Sequence, residues 1–118
     1  MYFTYSEFTR SETADNLGID NSVKSFRVLG NIAMLWNFLE DVRNELGSPI
    51  IITSGYRCSE LNEKVGGVPR SLHIYGRAVD IKTNVFDMEE LSNILQCYYD
   101  DGVLSEFKKY PTYYHIAI

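Results

Sequence analysis

The chain has two histidines, His73 and His115, and both lie in segments suited to holding a metal. Asp80 stands seven residues after the first, in the run Ser71-Leu72-His73-Ile74-Tyr75-Gly76-Arg77-Ala78-Val79-Asp80. His115 lies in the closing run Tyr113-Tyr114-His115-Ile116-Ala117-Ile118. Two neutral imidazoles and one carboxylate suffice as protein ligands for a catalytic zinc, leaving the fourth tetrahedral position for water. The mixed nitrogen and oxygen set suits zinc better than calcium or magnesium, which favour oxygen throughout. Zinc held in this way lowers the pKa of a bound water from about 15.7 to about 7 and polarises a carbonyl. The chemistry to expect is hydrolysis of an amide. Taken singly, each residue also has a plainer reading as a surface histidine or a salt-bridged aspartate, and the His-to-Asp spacing arises often by chance. The reading therefore depends on whether the surrounding elements bring the three side chains together.

Several elements can be read from periodicity and punctuation. From Val23 to Leu46, apolar residues Phe26, Leu29, Ile32, Ala33, Trp36, Leu39, Val42 and Leu46 recur at three- and four-residue steps, predicting a long helix. Gly47 and Pro49 stop it, Gly30 weakens its interior, and Trp36 is expected to pack in the core. Residues 1–21 read as an irregular entry with a short helix around Ser11–Leu17. Ile50–Thr53 is a buried strand, Ser54–Arg57 a turn, Ser59–Val65 a brief helix, and Val68–Ser71 a loop. Arg77–Thr83 alternates, placing Ala78, Asp80 and Lys82 on one face and Val79, Ile81 and Thr83 on the other. Asp87–Tyr99 is a second helix, with Asp87 and Glu90 in capping-box spacing. Two strands, Val103–Tyr110 and Tyr113–Ile118, complete the chain around Pro111. Because the chain ends inside a strand, truncation there is expected to be damaging.

Helices first and strands later, with one helix between, predict an α+β fold: a small, mainly antiparallel sheet packed on helices. If the last strand pairs with Arg77–Thr83, Asp80 and His115 share a cleft. His73 then approaches from the preceding loop, with Gly76 permitting the bend.

The chain's 118 residues are expected to form a single domain. Hydrophobic residues at 45% and charged residues at 23% are ordinary for a globular protein, so disorder is not expected. Nine tyrosines raise the aromatic share and suit a sheet and a tyrosine-lined cleft. A net charge of −5 without a basic cluster argues against nucleic acid as a partner. No apolar run approaches the roughly 20 residues of a membrane helix, and the opening residues lack the form of a signal peptide. Cys58 and Cys97 match neither a disulfide framework nor a paired metal motif, and are read as free thiols.

One series of motifs goes further. Ser54-Gly55-Tyr56-Arg57, Leu61-Asn62, Val65-Gly66-Gly67, Ser71-x-His73-x-x-Gly76-x-Ala78-x-Asp80 and the terminal His115-Ile116 strand together resemble the M15 metallopeptidases. The resemblance is strongest to their zinc D-Ala-D-Ala carboxypeptidases and phage-type peptidoglycan peptidases. The entry motifs Ser6-Glu7-Phe8 and Leu17-Gly18-Ile19-Asp20-Asn21 fit as well, so the likeness covers nearly the whole chain. It implies a Hedgehog/DD-peptidase-like fold, Zn2+ held by His73, Asp80 and His115, and peptidoglycan peptides as partners of a monomeric enzyme. It places Arg57 in the cleft facing substrate, where a guanidinium pairs a carboxylate or steadies oxyanion charge. Ser71 and Tyr75 are expected near substrate; Ser54 and Ser71 act as hydrogen-bonders, since a zinc hydrolase needs no serine nucleophile. Without a visible signal peptide, the resemblance suggests a protein cytoplasmic until released to the wall, with phage- or prophage-type delivery.

Two positions depart from the family pattern. Many members carry an acid three residues before the last histidine, where this chain has Thr112, and often an aspartate two residues after it, where it has Ala117. Glu106, or else Asp101, is the expected substitute for the missing general base, a contribution typically worth about 10²–10⁴-fold in rate. The departure also leaves open a zinc-containing, peptidoglycan-binding domain with weak or no catalysis.

Overall fold

A computed structural model describes all residues from Met1 to Ile118. It contains five helices and four strands in the order α1 (Tyr5–Thr9), α2 (Glu12–Leu17), α3 (Phe26–Leu46), β1 (Ile51–Ser54), α4 (Ser59–Lys64), β2 (Ala78–Lys82), α5 (Met88–Asp100), β3 (Glu106–Lys109) and β4 (Tyr114–Ala117). The strands form one antiparallel sheet in the order β1-β2-β4-β3, so the fold is α+β.

Alternation along the strands separates a core face from a site face. Val79 and Ile81 of β2 and Ile116 of β4 are fully buried, together with Leu39 and Val42 of α3 and Leu91 and Leu95 of α5. They belong to a cluster of 16 buried apolar residues that also takes in Phe3 and Phe8 from the entry segment. Burial of each large apolar side chain contributes roughly 1.5–3 kcal/mol, so this layer fixes the strand register. The opposite face carries Asp80 and His115, which are direct cross-strand partners, and Ser54 sits opposite Asp80. A register shift between Ile52 and Ser54 turns the end of β1 so that its serine meets that aspartate.

The long helix is better capped than its periodicity indicates. It begins at Phe26, not Val23, because the Ser25 hydroxyl accepts the Val28 amide and ends the preceding extended segment. Gly47 closes it in the left-handed conformation, and Gly30 does not break it. Trp36 stacks on Phe8 at 5.4 Å between ring centroids, as core packing requires. Ser11 caps α2 through the Ala14 amide. The preceding α1 is absent from the sequence reading: at five residues, without a side-chain cap, it offers too little periodicity to detect.

Two further expectations are corrected. Asp87 stands at the N-cap of α5 but does not close a capping box; its carboxylate accepts from the Ser48 hydroxyl and the Asn84 amide, each at 2.6 Å. That carboxylate ties the turn after α3 to the start of α5. The strand expected over Val103–Tyr110 is shortened to β3 because Val103 and Leu104 donate to the Tyr98 carbonyl and complete the end of α5. At its other end, Tyr110 donates to the Tyr113 carbonyl, closing a hairpin around Pro111 and Thr112.

Candidate metal centre

β2 and β4 supply Asp80 and His115, and the loop between α4 and β2 supplies His73. Gly76 makes that loop possible. Its φ of +70° disfavours any side chain, and a Cβ there would lie 2.8 Å from Ile32 and 3.0 Å from Val28 of α3. The loop is also anchored on α3 where Asn31 donates to the Tyr75 carbonyl at 2.9 Å. His73 is buried, and its amide donates to the Ser71 hydroxyl at 3.2 Å.

The three side chains converge. Their ligand atoms all lie within 4.8 Å of one another. His73 Nε2 is 3.4 Å and His115 Nδ1 is 2.9 Å from the same oxygen, Asp80 Oδ1. A tetrahedral ion bonded at about 2.0–2.1 Å separates its ligands by about 3.3 Å, so these spacings match a shared centre closely. Each imidazole also has its outward nitrogen occupied by an acceptor. His73 Nδ1 faces the Gly55 carbonyl at 2.8 Å, and His115 Nε2 faces Glu106 Oε1 at 2.9 Å. A proton held on the outward nitrogen leaves the inward one free to ligate, which is how metal-binding histidines are oriented. The donor set and the acceptors at both outward nitrogens thus fit zinc.

Electrostatics follow from this packing. Burial alone would raise the Asp80 carboxyl, but hydrogen bonds from His115 and His73 outweigh it and hold the pKa at about 2. Burial pushes His115 down, yet hydrogen bonds to Asp80 and Glu106 and their charges leave it above its ordinary value. Glu106 is held below the usual carboxylate range, chiefly by its hydrogen bond with His115.

Arg57 is positioned from three sides. Its Nε donates to the Ser54 hydroxyl at 3.3 Å, its Nη1 donates to Asn62 Oδ1 at 3.0 Å, and Nη2 lies 3.9 Å from Asp80 Oδ2. Asn62, almost wholly buried in α4, donates in turn to the Val68 carbonyl at 2.8 Å. Gly67 leaves room for this arrangement, since a Cβ there would stand 2.1 Å from Asn62 Oδ1 and 2.9 Å from Arg57 Nη1. The Arg57 backbone amide donates to the His73 carbonyl, so the two loops of the site are bonded directly. Asn21 fastens the same region to the entry segment. Its amide donates to the Thr9 and Tyr56 carbonyls, and its Oδ1 accepts the Cys58 amide at 2.7 Å.

A family model described as Peptidase M15 matches residues 1–117. The chain belongs to the M15 peptidase family. The zinc D-Ala-D-Ala carboxypeptidase of Streptomyces albus G is 35% identical to this M15 peptidase over 80 residues, covering 67% of this chain and 30% of that protein. The match thus spans less than a third of the relative's length.

Of the residues singled out from the sequence, the fold brings His73, Asp80, His115, Arg57 and Glu106 into contact as one cluster. Ser71 is buried behind His73, whereas the Tyr75 side chain is exposed. Asp101 ends α5 and borders a different surface depression with Glu45 and Glu90, apart from this cluster. Thr112 is exposed in the β3–β4 hairpin. Ala117 stands directly opposite Glu106 in the strand register, so the carboxylate absent at 117 has a counterpart across the strand pair. The sequence reading gave no role to Asn62 or to the Gly55 carbonyl. Only the Leu61-Asn62 motif hinted at the first; a backbone acceptor leaves no mark in residue type. Cys58 and Cys97 are free thiols, and Cys58 Sγ caps α4 at the Leu61 amide.

Proposed function

We propose that this M15 peptidase is a zinc-dependent enzyme hydrolysing amide bonds in peptidoglycan stem peptides, as a D-Ala-type carboxypeptidase or endopeptidase. The observation that carries the reading is the meeting of His73 Nε2, Asp80 Oδ1 and His115 Nδ1 with both outward nitrogens engaged by acceptors. Zinc bound to these atoms supplies a Lewis acid for the scissile carbonyl and a water made acidic enough to ionise near neutral pH. Family membership and the name of the Streptomyces relative, a zinc D-Ala-D-Ala carboxypeptidase, support this choice of metal and substrate.

The remaining roles belong to the chain's own side chains. Arg57 stays charged and faces the centre, with Ser54 and Asn62 fixing its plane. It binds a free carboxylate of the stem peptide or the oxygen that gains charge at the reacting carbonyl. A cleft of about 550 Å³ between the entry segment and β1 is lined by Ser54, Gly55, Tyr56 and Arg57 but by none of the three ligand residues, so it borders Arg57 and not the centre itself. Ser71 supports the His73 loop, while Tyr75, exposed on that loop, offers a ring to substrate. No helix is long and apolar enough to cross a bilayer.

A second reading is favoured by Thr112, which puts a neutral side chain at a hairpin tip where many family members carry an acid. Under it the domain holds zinc and binds peptidoglycan peptides with weak or no turnover. Incubating tag-free, zinc-loaded protein with muropeptides separates the two. New amines detected by mass spectrometry, lost after chelation and restored by zinc, support the peptidase. Muropeptide binding without products supports the second reading, and absence of both binding and products refutes the two together.

A further inference from the structure

We propose that Glu106 is a positioning residue that locks His115 in the ligating tautomer, and is not the proton acceptor for the attacking water. The inference rests on the metal centre proposed above and deepens it by assigning the carboxylate nearest to that centre.

The argument is geometric. His115 has Asp80 Oδ1 at 2.9 Å from Nδ1 and Glu106 Oε1 at 2.9 Å from Nε2. The two nitrogens point to opposite sides of the ring, so the imidazole stands between the Glu106 oxygen and the ligand atoms. A carboxylate accepts only, so with carboxylates at both nitrogens the metal-free imidazole holds a proton on each; when a metal replaces the inner proton, Glu106 keeps the outer one on Nε2 and leaves Nδ1 to ligate. The strand register makes this contact repeatable. Glu106 pairs with Ala117 and Lys108 pairs with His115, so Glu106 lies diagonally across from the histidine on the site face. Ala117 carries nothing beyond Cβ and leaves the path from Glu106 to His115 open. His73 reaches the equivalent state by a different route, through the backbone carbonyl of Gly55. A carbonyl cannot take up a proton at neutral pH, and its presence at the matching place marks the function of such an acceptor as orientation.

The role separates from general-base catalysis in two substitutions. Glu106 is about one-third exposed on an edge strand, outside the apolar cluster, so neither change removes core packing. In Glu106→Gln the amide oxygen still accepts the Nε2 proton; in Glu106→Ala nothing does. Zinc affinity, measured by competition with a chromophoric chelator, should fall about 10–100-fold in Glu106→Ala and stay within a few-fold of wild type in Glu106→Gln. In zinc-loaded, nitrogen-15-labelled protein, the slowly exchanging Nε2 proton of His115 should persist in Glu106→Gln and disappear in Glu106→Ala. Turnover should follow zinc occupancy in both variants. The proposal is overturned if Glu106→Ala binds zinc as wild type does. It is equally overturned if Glu106→Gln loses turnover as fully as Glu106→Ala while remaining loaded. Failure of the wild-type chain to bind zinc would refute the metal centre itself, a different result from either.

Discussion

Replacing Asn62 with alanine removes two hydrogen bonds at once, and the structure allows the cost to be worked out. Asn62 is 2% exposed, so water cannot substitute freely for either partner. Its Oδ1 accepts from the charged Arg57 Nη1 at 3.0 Å, and its Nδ2 donates to the Val68 carbonyl at 2.8 Å. A hydrogen bond to a charged group contributes about 1.5–3 kcal/mol and a neutral one about 0.5–1.5 kcal/mol, giving roughly 2–4.5 kcal/mol for Asn62→Ala. With an unfolding entropy of about 2.1 cal/mol/K per residue, a chain of 118 residues loses about 4 °C per kcal/mol, hence roughly 8–18 °C in Tm. The same change frees one side of Arg57 while leaving His73, Asp80 and His115 in place, so zinc stoichiometry should be unchanged. Calorimetry of the zinc-free protein gives the stability, and elemental analysis of the loaded variant gives the metal. A Tm within about 2 °C of wild type, below the shift expected for even one such bond, would refute the reasoning that Asn62 holds this loop. Loss of zinc with little loss of stability would show that Asn62 serves the metal directly.

Other outcomes follow from the same geometry. His115's pKa is raised, so its contribution to the metal-free fold is complete below its ordinary value of 6.5 and fades as pH rises through the folded value. Asp80's pKa is lowered, so its contribution is present above 3.8 and fades as pH falls toward about 2. Zinc must displace the proton between His115 and Asp80, so the rise in Tm on adding zinc should be larger near about pH 8 than near about pH 5.5; thermal melts with and without zinc check this, and a larger rise in acid contradicts it. Arg57→Lys keeps the charge but loses the planar donors that meet Ser54 and Asn62, and kcat/KM should fall about 10–100-fold with zinc content intact; steady-state kinetics on a substrate with a free carboxylate measure it. Gly76→Ala forces a Cβ to 2.8 Å from Ile32 at positive φ, and should cost about 2 kcal/mol or more by denaturant unfolding.

The meeting of Asp80 and His115 was legible because it depended on residue type and strand parity. Asp80 and His115 had to share a sheet face once β2 and β4 paired, and the apolar residues on either side of them fixed that parity. The stop of α3 at Gly47 was legible for a similar reason, a single residue with one local task. What escaped the sequence depends on distant partners. Asp87 has capping spacing but is drawn to Ser48, 39 residues away. Val103 and Leu104 have strand composition but finish a helix, because the Tyr98 carbonyl lies within reach. The Glu106 carboxylate could be suspected as the replacement acid, yet only the register shows that it meets the outer nitrogen of His115. Asn62 looks like one polar residue of a short helix until the fold closes Val68 and Arg57 around it.

X-ray absorption at the zinc edge, on tag-free protein loaded with one equivalent of zinc, tests the metal assignment most directly. The structure predicts a shell of nitrogen and oxygen at about 2.0–2.2 Å with the outer scattering of two imidazoles, lost in His73→Ala and His115→Ala. A sulfur shell at about 2.3 Å, which would place the ion on Cys58 or Cys97, or an all-oxygen shell without imidazole, would contradict the account.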